Sequence, residues 1–520
     1  MALWQLLAER PGQHKRQLVT GLQRMGLLDV STTDVNRLLY ASQETFAHDG
    51  GTPRIWRLTD QAPHYRLTLS TTAAAPSPRC YVGKAPRAWQ AEAFAEWQAG
   101  GRRGVVEAVT GTGKTTVGVL AAAAAVDAGE KVLVLVPGRE LLDQWYEVLR
   151  RDLRVTRVGR FGDGHKDSFD DHPVLVAIVH SARRHQMLRP GSAGLLIADE
   201  VHRYGAKTFA MALEPEFGAR LGLTATYARE DDGLQEFLEP YFGDVVMGCS
   251  YQRGLADEIL APFRVGFLGT ELTPDEREQY DFYDERARAL RGRLILDYGC
   301  PGEPFGEFMA HVNELSQGGH GNASATADAR RYLHAFSKRR QLLADCGRKQ
   351  EALASLAPVL AVANQGLVFG ETTASAEEAA AVLCRNGVPA LDFTSALRHK
   401  DRKHRLAAFK HGQVKVLTAP RVLDEGVDVP QAEVGVIMAG SRSKRQMIQR
   451  MGRVIRPKVD RRPATFFVLY AKGTSEDPAM GAHEDFREQL IGVAQDVRDF
   501  PVRTKLVDLL RWYREGRFMS

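Results

Sequence analysis

The sequence predicts an α/β chain of two tandem parallel-sheet lobes, with a small helix-and-hairpin unit before them and a helical segment between them. Three observations predict it. Short apolar runs alternate with helical stretches in two separate trains. Each run ends in polar residues, the pattern of buried parallel strands whose loops act at their C-terminal ends. Composition shifts mark the borders: TTAAAPSPR (Thr71 to Arg79) reads as a linker, and the stretch after about Arg229 turns charged and helical.

Taken in order, LWQLLAER, HKRQLVTGLQRMG and TTDVNRLLYASQ read as three short helices, with Ser31 or Thr32 capping the third. ETFAHDGGTPRIWRLT reads as a hairpin with a DGG turn. Three helices and a hairpin make a winged helix-turn-helix over residues 1–70. Residues 1–80 carry nine Lys/Arg against six Asp/Glu. If the third helix enters a DNA groove, Thr33, Asn36, Arg37 and Tyr40 are its contacts, with Arg54 near the wing. The competing reading is a protein-docking module. A linker at 71–84 follows.

The first lobe spans 85–228. Its strands are VVEAV (Val105 to Val109), VLVLVP (from Val132), VLVAIV (from Val174), LLIADE (from Leu195) and LGLTAT (from Leu221). Residues 229–363 form a mostly helical insertion, with a flexible loop expected from Ser316 to Ala329. Within it, Thr273 to Leu343 reads as a solvated helical hairpin or a clamp on DNA, the mixed charges favouring the first. The second lobe, 364–475, carries GLVFG, ALDF, KVLTA, VGVIMAG and TFFVLY. A helical tail, 476–520, ends the chain.

Composition narrows the class. At 520 residues the chain holds about three to four domains. No apolar stretch is long enough to span a membrane, and the N-terminus lacks the layout of a signal peptide, so a cytoplasmic location is expected. The five cysteines lie far apart with no C-x-x-C pair, which argues against zinc, iron–sulfur or disulfide frameworks. A net charge of +5 permits a polyanionic partner without requiring one.

Local motifs say more. AVTGTGKTT (Ala108 to Thr116) follows a strand and opens a helix, as a phosphate loop must. Thr110, Gly111, Thr112 and Gly113 curl backbone N–H groups around phosphate oxygens at a helix N-terminus. Lys114 reaches the β- and γ-phosphates, and Thr115, followed by Thr116, presents its hydroxyl to Mg²⁺. Alanine stands where the general pattern has its first glycine. A second strand, 85 residues on, ends in Asp199 and Glu200, the first for Mg²⁺ and the second to polarise an attacking water. Taken singly, such a pair is more often a solvated strand end. In the second lobe, QRMGRVIRP places Arg453 and Arg456 three apart on one helical face, with Gln449 ahead of them. Two such guanidiniums can neutralise a transferring phosphoryl group.

These blocks, in this order, resemble the superfamily 2 helicases over residues 85 to 475, whose lobes are RecA-like. The resemblance implies ATP and Mg²⁺ between the lobes, DNA as partner and 3′→5′ translocation. PRAWQ resembles that class's adenine-reading motif, with Arg87 and Gln90 as readers. VPGRELLDQW resembles motif Ia and brings Arg139 to nucleic acid. HSA resembles motif Ib, with His180 and Ser181, and LTAT resembles motif III. LTAPRVLDEGVDVP resembles motif V, which implies Thr418 on a backbone phosphate and Gly426 and Asp428 near the nucleotide. TATYARED is similar to the XPB repair-helicase block that adds an Arg-Glu-Asp element, here beginning at Arg229 and implying a DNA contact. Residues 1–70 do not match that family's damage-recognition domain. Two alternatives stay open: an RNA helicase, separable by ATPase stimulation, and a DNA-binding regulator with a vestigial motor, separable by basal ATPase. Protein partners would dock on the winged helix or the tail.

Overall fold

The computed structural model describes residues 78–520 except Thr156, Ala228, Glu230, 303–304, 319–321, Ser395, 421–431, 439–453, 456–457, 459–461, 483–486, 488–489, 491–492, Arg503 and 519–520. Of residues 1–77 it describes 13–14, Leu18, Leu22, Val35, 46–48 and 55–58. The chain divides into two compact units, 1–73 with 487–493 and 74–486 with 494–520.

In the first unit, β1 (Gln13–His14), β2 (Phe46–His48) and β3 (Ile55–Leu58) form an antiparallel sheet in the order β1-β3-β2. Leu18, Leu22 and Val35 are each helical and buried. Thr33, Asn36, Arg37, Tyr40 and Arg54 lie outside the described residues.

The second unit opens with α1 (Ala88–Ala99), β4 (Arg103–Glu107), α2 (Lys114–Asp127), β5 (Lys131–Val136) and α3 (Arg139–Asp152). β6 (Val158–Gly162), β7 (His165–Lys166), β8 (Val174–Ile178), β9 (Gly194–Asp199), β10 (Ala219–Thr224) and β11 (Val245–Met247) complete an eight-stranded sheet. Its order is β11-β4-β10-β9-β5-β8-β6-β7, parallel except for β7. The alanines of α2 have a packing reason. Ala121, Ala122, Ala123 and Ala125 are completely buried, because this helix lies between the sheet and its neighbours and has no room for longer side chains.

β12 (Phe263–Thr270) then starts the second sheet. After it come α4 (Pro274–Leu296), α5 (Phe305–Ser316), α6 (Ala323–Ala344) and α7 (Gly347–Val362). β13 (Gln365–Gly370), α8 (Thr373–Arg385), β14 (Ala390–Asp392), α9 (His399–Lys410), β15 (Val416–Pro420), β16 (Ala432–Ile437), β17 (Ala464–Ala471), β18 (Asp496–Phe500) and α10 (Leu506–Phe518) follow. The sheet order is β14-β15-β13-β16-β17-β12-β18, parallel throughout.

Sheet membership draws the borders differently from the sequence boundaries at 229, 363 and 475. β11 belongs to the first sheet, and β12 is an interior strand of the second. From Ala494 on, the C-terminal segment is part of the second lobe. Trp512 is completely buried; its indole N–H donates to Asp496 at 2.6 Å, and the Arg264 guanidinium lies 4.4 Å over its ring. The helices between have their own apolar core, including Leu290, Leu294, Phe308, Val312, Tyr332 and Ala335. Thr273 and Glu276 form a capping box at the start of α4, with Pro274 in the first turn. Ser316 to Ala329 is not one loop: α5 runs to Ser316 and α6 starts at Ala323, capped by Asn322. Among the described residues no helix is long and apolar enough to cross a membrane.

Candidate active site

β4, β10 and β9 are neighbours in the first sheet, and their C-terminal ends are level. Thr224 registers with Glu107, and Leu223 with Asp199. Three stretches far apart in sequence therefore share one edge: the phosphate loop after β4, the LTAT block on β10 and the Asp-Glu pair on β9. With strands about 4.8 Å apart, the outer two lie about 10 Å from each other.

The loop has the backbone a phosphate cradle requires. Gly111 and Gly113 have φ of 88° and 96°, in the left-handed region that side chains disfavour. A Cβ at Gly113 would also stand 2.7 Å from Gln90 Nε2. The Thr112 hydroxyl donates to Val109 O at 2.6 Å, and Lys114 Nζ donates to Ala108 O at 2.9 Å. Arg87 and Gln90 hold the loop from below: Arg87 Nη1 donates to Thr112 O at 2.7 Å and Gln90 Nε2 to Gly113 O at 2.9 Å. Gln90 Oε1 accepts from the Arg87 N–H at 2.8 Å, so both ends of this buried amide are bonded within the protein. Thr115 and Thr116 lie in the first turn of α2.

Asp199 accepts from Trp145 Nε1 at Oδ2 over 2.8 Å, and from the Glu200 N–H at Oδ1 over 3.0 Å. Glu200 has φ of 51°, a conformation with a real cost for a non-glycine residue, and it turns the chain into the single-turn helix Val201–Gly205. His202 links this turn to β10. Its Nδ1 lies 3.0 Å from Thr224 Oγ1 and 3.5 Å from Glu200 Oε2. Sequence reading singled out neither His202 nor Trp145, although Trp145 falls inside a quoted block and His202 lies two residues past another. The usable signal was the polar or N–H-bearing side chain at a buried position beside a carboxylate.

The expected nucleic-acid contacts are placed variously. Arg139 opens α3 and pairs with Asp163. His180 is exposed with its ring edge-on to Phe209, and Ser181 is half-buried beside it. Arg229 turns inward: it donates to His202 O and forms a two-point pair with Asp231 at 2.6 Å, holding that carboxyl below the usual range. Thr418 is completely buried on β15, and its hydroxyl donates to Ala376 O at 2.6 Å, so it faces the core of the second lobe. Gly426, Asp428, Gln449, Arg453 and Arg456 lie outside the described residues. Val454 and Ile455 between the two arginines are buried, and Ile455 O accepts from the Ala261 N–H at 2.8 Å, next to the strand that begins the second lobe. Arg402 of α9 pairs with Glu140 of α3 at 3.3 Å, a contact between the lobes that the sequence did not announce.

Two family profiles match these lobes. "Type III restriction enzyme, res subunit" covers residues 83–229, and "helicase conserved C-terminal domain" covers 348–458. With this fold and site, they define the chain as a superfamily 2 helicase. Within that class it is XPB-like. It is 29% identical over 395 residues to the DNA 3′-5′ translocase XPB2 of Sulfurisphaera tokodaii, covering 75% of this chain and 82% of that protein. It is 28% identical to the DNA 3′-5′ helicase XPB of Kineococcus radiotolerans, over 77% of this chain and 62% of that one. The Mycobacterium tuberculosis DNA 3′-5′ helicase XPB is 27% identical, with 76% and 62% covered. The chain thus spans less than two thirds of both bacterial relatives. Among solved structures, S. cerevisiae Dbp5 bound to RNA and ADP BeF3 shares the fold, with a TM-score of 0.54, 14% identity and 83% and 93% of the two chains covered.

Proposed function

We propose that the chain is an ATP-driven DNA translocase moving 3′→5′, which couples ATP hydrolysis between its lobes to stepping along strand phosphates in DNA repair or genome defence. The observation that carries this is the shared sheet edge, where the phosphate loop, Asp199–Glu200 and Thr224 converge with His202 between the last two. The residues present fit a Mg²⁺–nucleotide: two left-handed glycines curl the loop at the N-terminus of a 14-residue helix, and a Cβ at Gly113 would strike the Gln90 amide that holds it. DNA as partner, and the polarity, rest on the XPB-type relatives.

Lys114 would hold the β- and γ-phosphates, and Thr110, Thr112 and Thr116 would flank that grip. Thr115 and Asp199 would hold Mg²⁺, which when bound neutralises charge on the transferring phosphoryl group. Glu200 would orient the attacking water and take its proton on Oε2. His202 Nδ1 bonds Thr224 and stands 3.5 Å from that carboxylate, and would couple the hydrolytic group to the LTAT block. Arg453 and Arg456, with Gln449, would complete the site from the second lobe, and Gly426 and Asp428 would approach the nucleotide. Arg87 and Gln90, proposed as adenine readers, would do so from positions already bonded to the phosphate loop. Base contact and loop shape would then depend on the same two side chains.

Arg139, His180 and Ser181 are the first-lobe candidates for strand contact. Thr418 and Arg229 would reach DNA only after leaving their present partners. The deciding experiment compares ATPase stimulation by single-stranded DNA, duplex DNA and RNA, then measures displacement of streptavidin from either end of a DNA strand. DNA stimulation with clearance of a 5′-end block supports the proposal. Stimulation by RNA alone would replace it with an RNA-dependent ATPase.

A further inference from the structure

We propose that Trp145 is a positioning residue for hydrolysis, its indole N–H fixing the Asp199 carboxylate, and that Gly118 is the residue that lets the ring reach it. The inference rests on the reading of Asp199 as the Mg²⁺-facing carboxylate.

Trp145 lies on α3, which follows β5, and β5 is the neighbour of β9 in the sheet. The side chain is completely buried and Asp199 is 8% exposed, so the 2.8 Å bond from Nε1 to Oδ2 is shielded from water. A hydrogen bond to a charged acceptor in such a place is stronger than a neutral one and sets direction as well as energy. Asp199 Oδ1 accepts from the Glu200 N–H at 3.0 Å. Donors on both oxygens define the plane of the carboxylate before any nucleotide arrives.

Gly118 gives the second half of the device. It faces the ring from α2, the helix that the phosphate loop opens. A Cβ there would stand 2.6 Å from Trp145 Cη2 and 3.1 Å from Leu223 Cδ1. The indole is therefore wedged between α2 and the sheet, and no larger residue at 118 leaves it in place. Apolar packing alone would be met by phenylalanine, which has no N–H to offer Asp199. The glycine and the tryptophan, 27 positions apart, form one unit joining the phosphate-loop helix to the acidic strand. Trp145 touches Asp199 and not the nucleotide, so its effect should appear in Mg²⁺ usage.

The test uses full-length Trp145→Phe, with mant-ADP as probe. In EDTA its affinity for mant-ADP should stay within about twofold of wild type. The Mg²⁺ concentration giving half-maximal enhancement of mant-ADP binding should rise about tenfold, the size of one hydrogen bond to a charged group. kcat should fall more than KM for ATP rises. Gly118→Ala should shift the Mg²⁺ midpoint in the same direction. Asp199→Asn separates the two readings. If it leaves the Mg²⁺ enhancement intact, the Asp199 assignment fails and takes this inference with it. If it abolishes the enhancement while Trp145→Phe behaves as wild type, only the role of Trp145 is overturned. A third arm does not depend on how Trp145→Phe folds: ¹⁵N-indole labelling of the six tryptophans in the wild-type chain. One indole N–H resonance should move on Asp199→Asn and again on Mg²⁺–ADP binding. Six unmoved resonances would overturn the proposal.

Discussion

At the scale of single residues, two sets of side chains assigned to the proposed nucleotide site should behave in opposite ways. Lys114 makes a 2.9 Å bond to Ala108 O from the first position of α2 and is half-buried. Lys114→Ala should leave the melting temperature within a few degrees of wild type, since each partly exposed hydrogen bond contributes about 1 kcal/mol. ATP hydrolysis should fall to background, because no other described cation belongs to the loop. A steady-state ATPase assay beside a thermal melt checks both. Arg453 and Arg456 would act on the transferring phosphoryl group and not on the bound ground state. Arg453→Ala or Arg456→Ala should therefore bind mant-ADP as wild type does, yet hydrolyse ATP about a thousandfold more slowly. Normal turnover in both variants would remove the second lobe from the site.

At the scale of elements, the revealing case is the C-terminal segment. Charge and helical spacing led to the expectation of a tail, yet β18 extends the sheet beside β12 and α10 caps it through Trp512. Arg264 explains the connection. An arginine inside an interior strand must be satisfied, and it is, by Trp512 O at 2.5 Å and Asp496 at 2.8 Å. Trp512→Ala removes a fully buried ring and uncovers that guanidinium. Loss of such a ring costs about 3–5 kcal/mol. The variant should unfold at clearly lower urea concentration than wild type, and truncation at Ala494 should yield insoluble protein instead of a trimmed, active motor. The insertion is bound in by a similar device: buried Lys349 of α7 donates to Glu476 at 2.6 Å and to Leu343 O at 2.8 Å. Breaking such a pair leaves a buried charge without its counter-ion.

At the scale of the whole molecule, residues 1–73 with 487–493 form one compact unit, and both lobes fall in the other. None of the residues assigned to hydrolysis falls in the first. Deleting residues 1–70 should keep the ATPase at saturating DNA and lower affinity for duplex or junction DNA. The logarithmic salt dependence should flatten by about 0.9 for each DNA phosphate that the shortened chain no longer neutralises. Binding of both forms across a salt series measures this. Equal affinities and slopes would make residues 1–70 a docking module for another protein.

What the sequence by itself determined was local. The alternating strands of both lobes, the glycine-rich loop and the Asp-Glu pair were legible because each depends on a few adjacent residues. A run such as VLVLVP must be buried, and TGTGK must bend through left-handed backbone whatever surrounds it. The superfamily was legible for the same reason. Tertiary structure decided which distant residues meet. β12, beginning FRVGFLGT, lies next to a charged stretch in sequence, and only strand pairing across about 200 residues makes it part of the second sheet. Trp145 reads as one more apolar position of an amphipathic helix until the sheet order sets β5, the strand before α3, beside β9. Thr418 and Arg229 matched the blocks of a nucleic-acid contact. In the folded chain Thr418 faces the core and Arg229 is latched to Asp231, because a side chain's direction follows from the packing of its element and not from its letter in a motif.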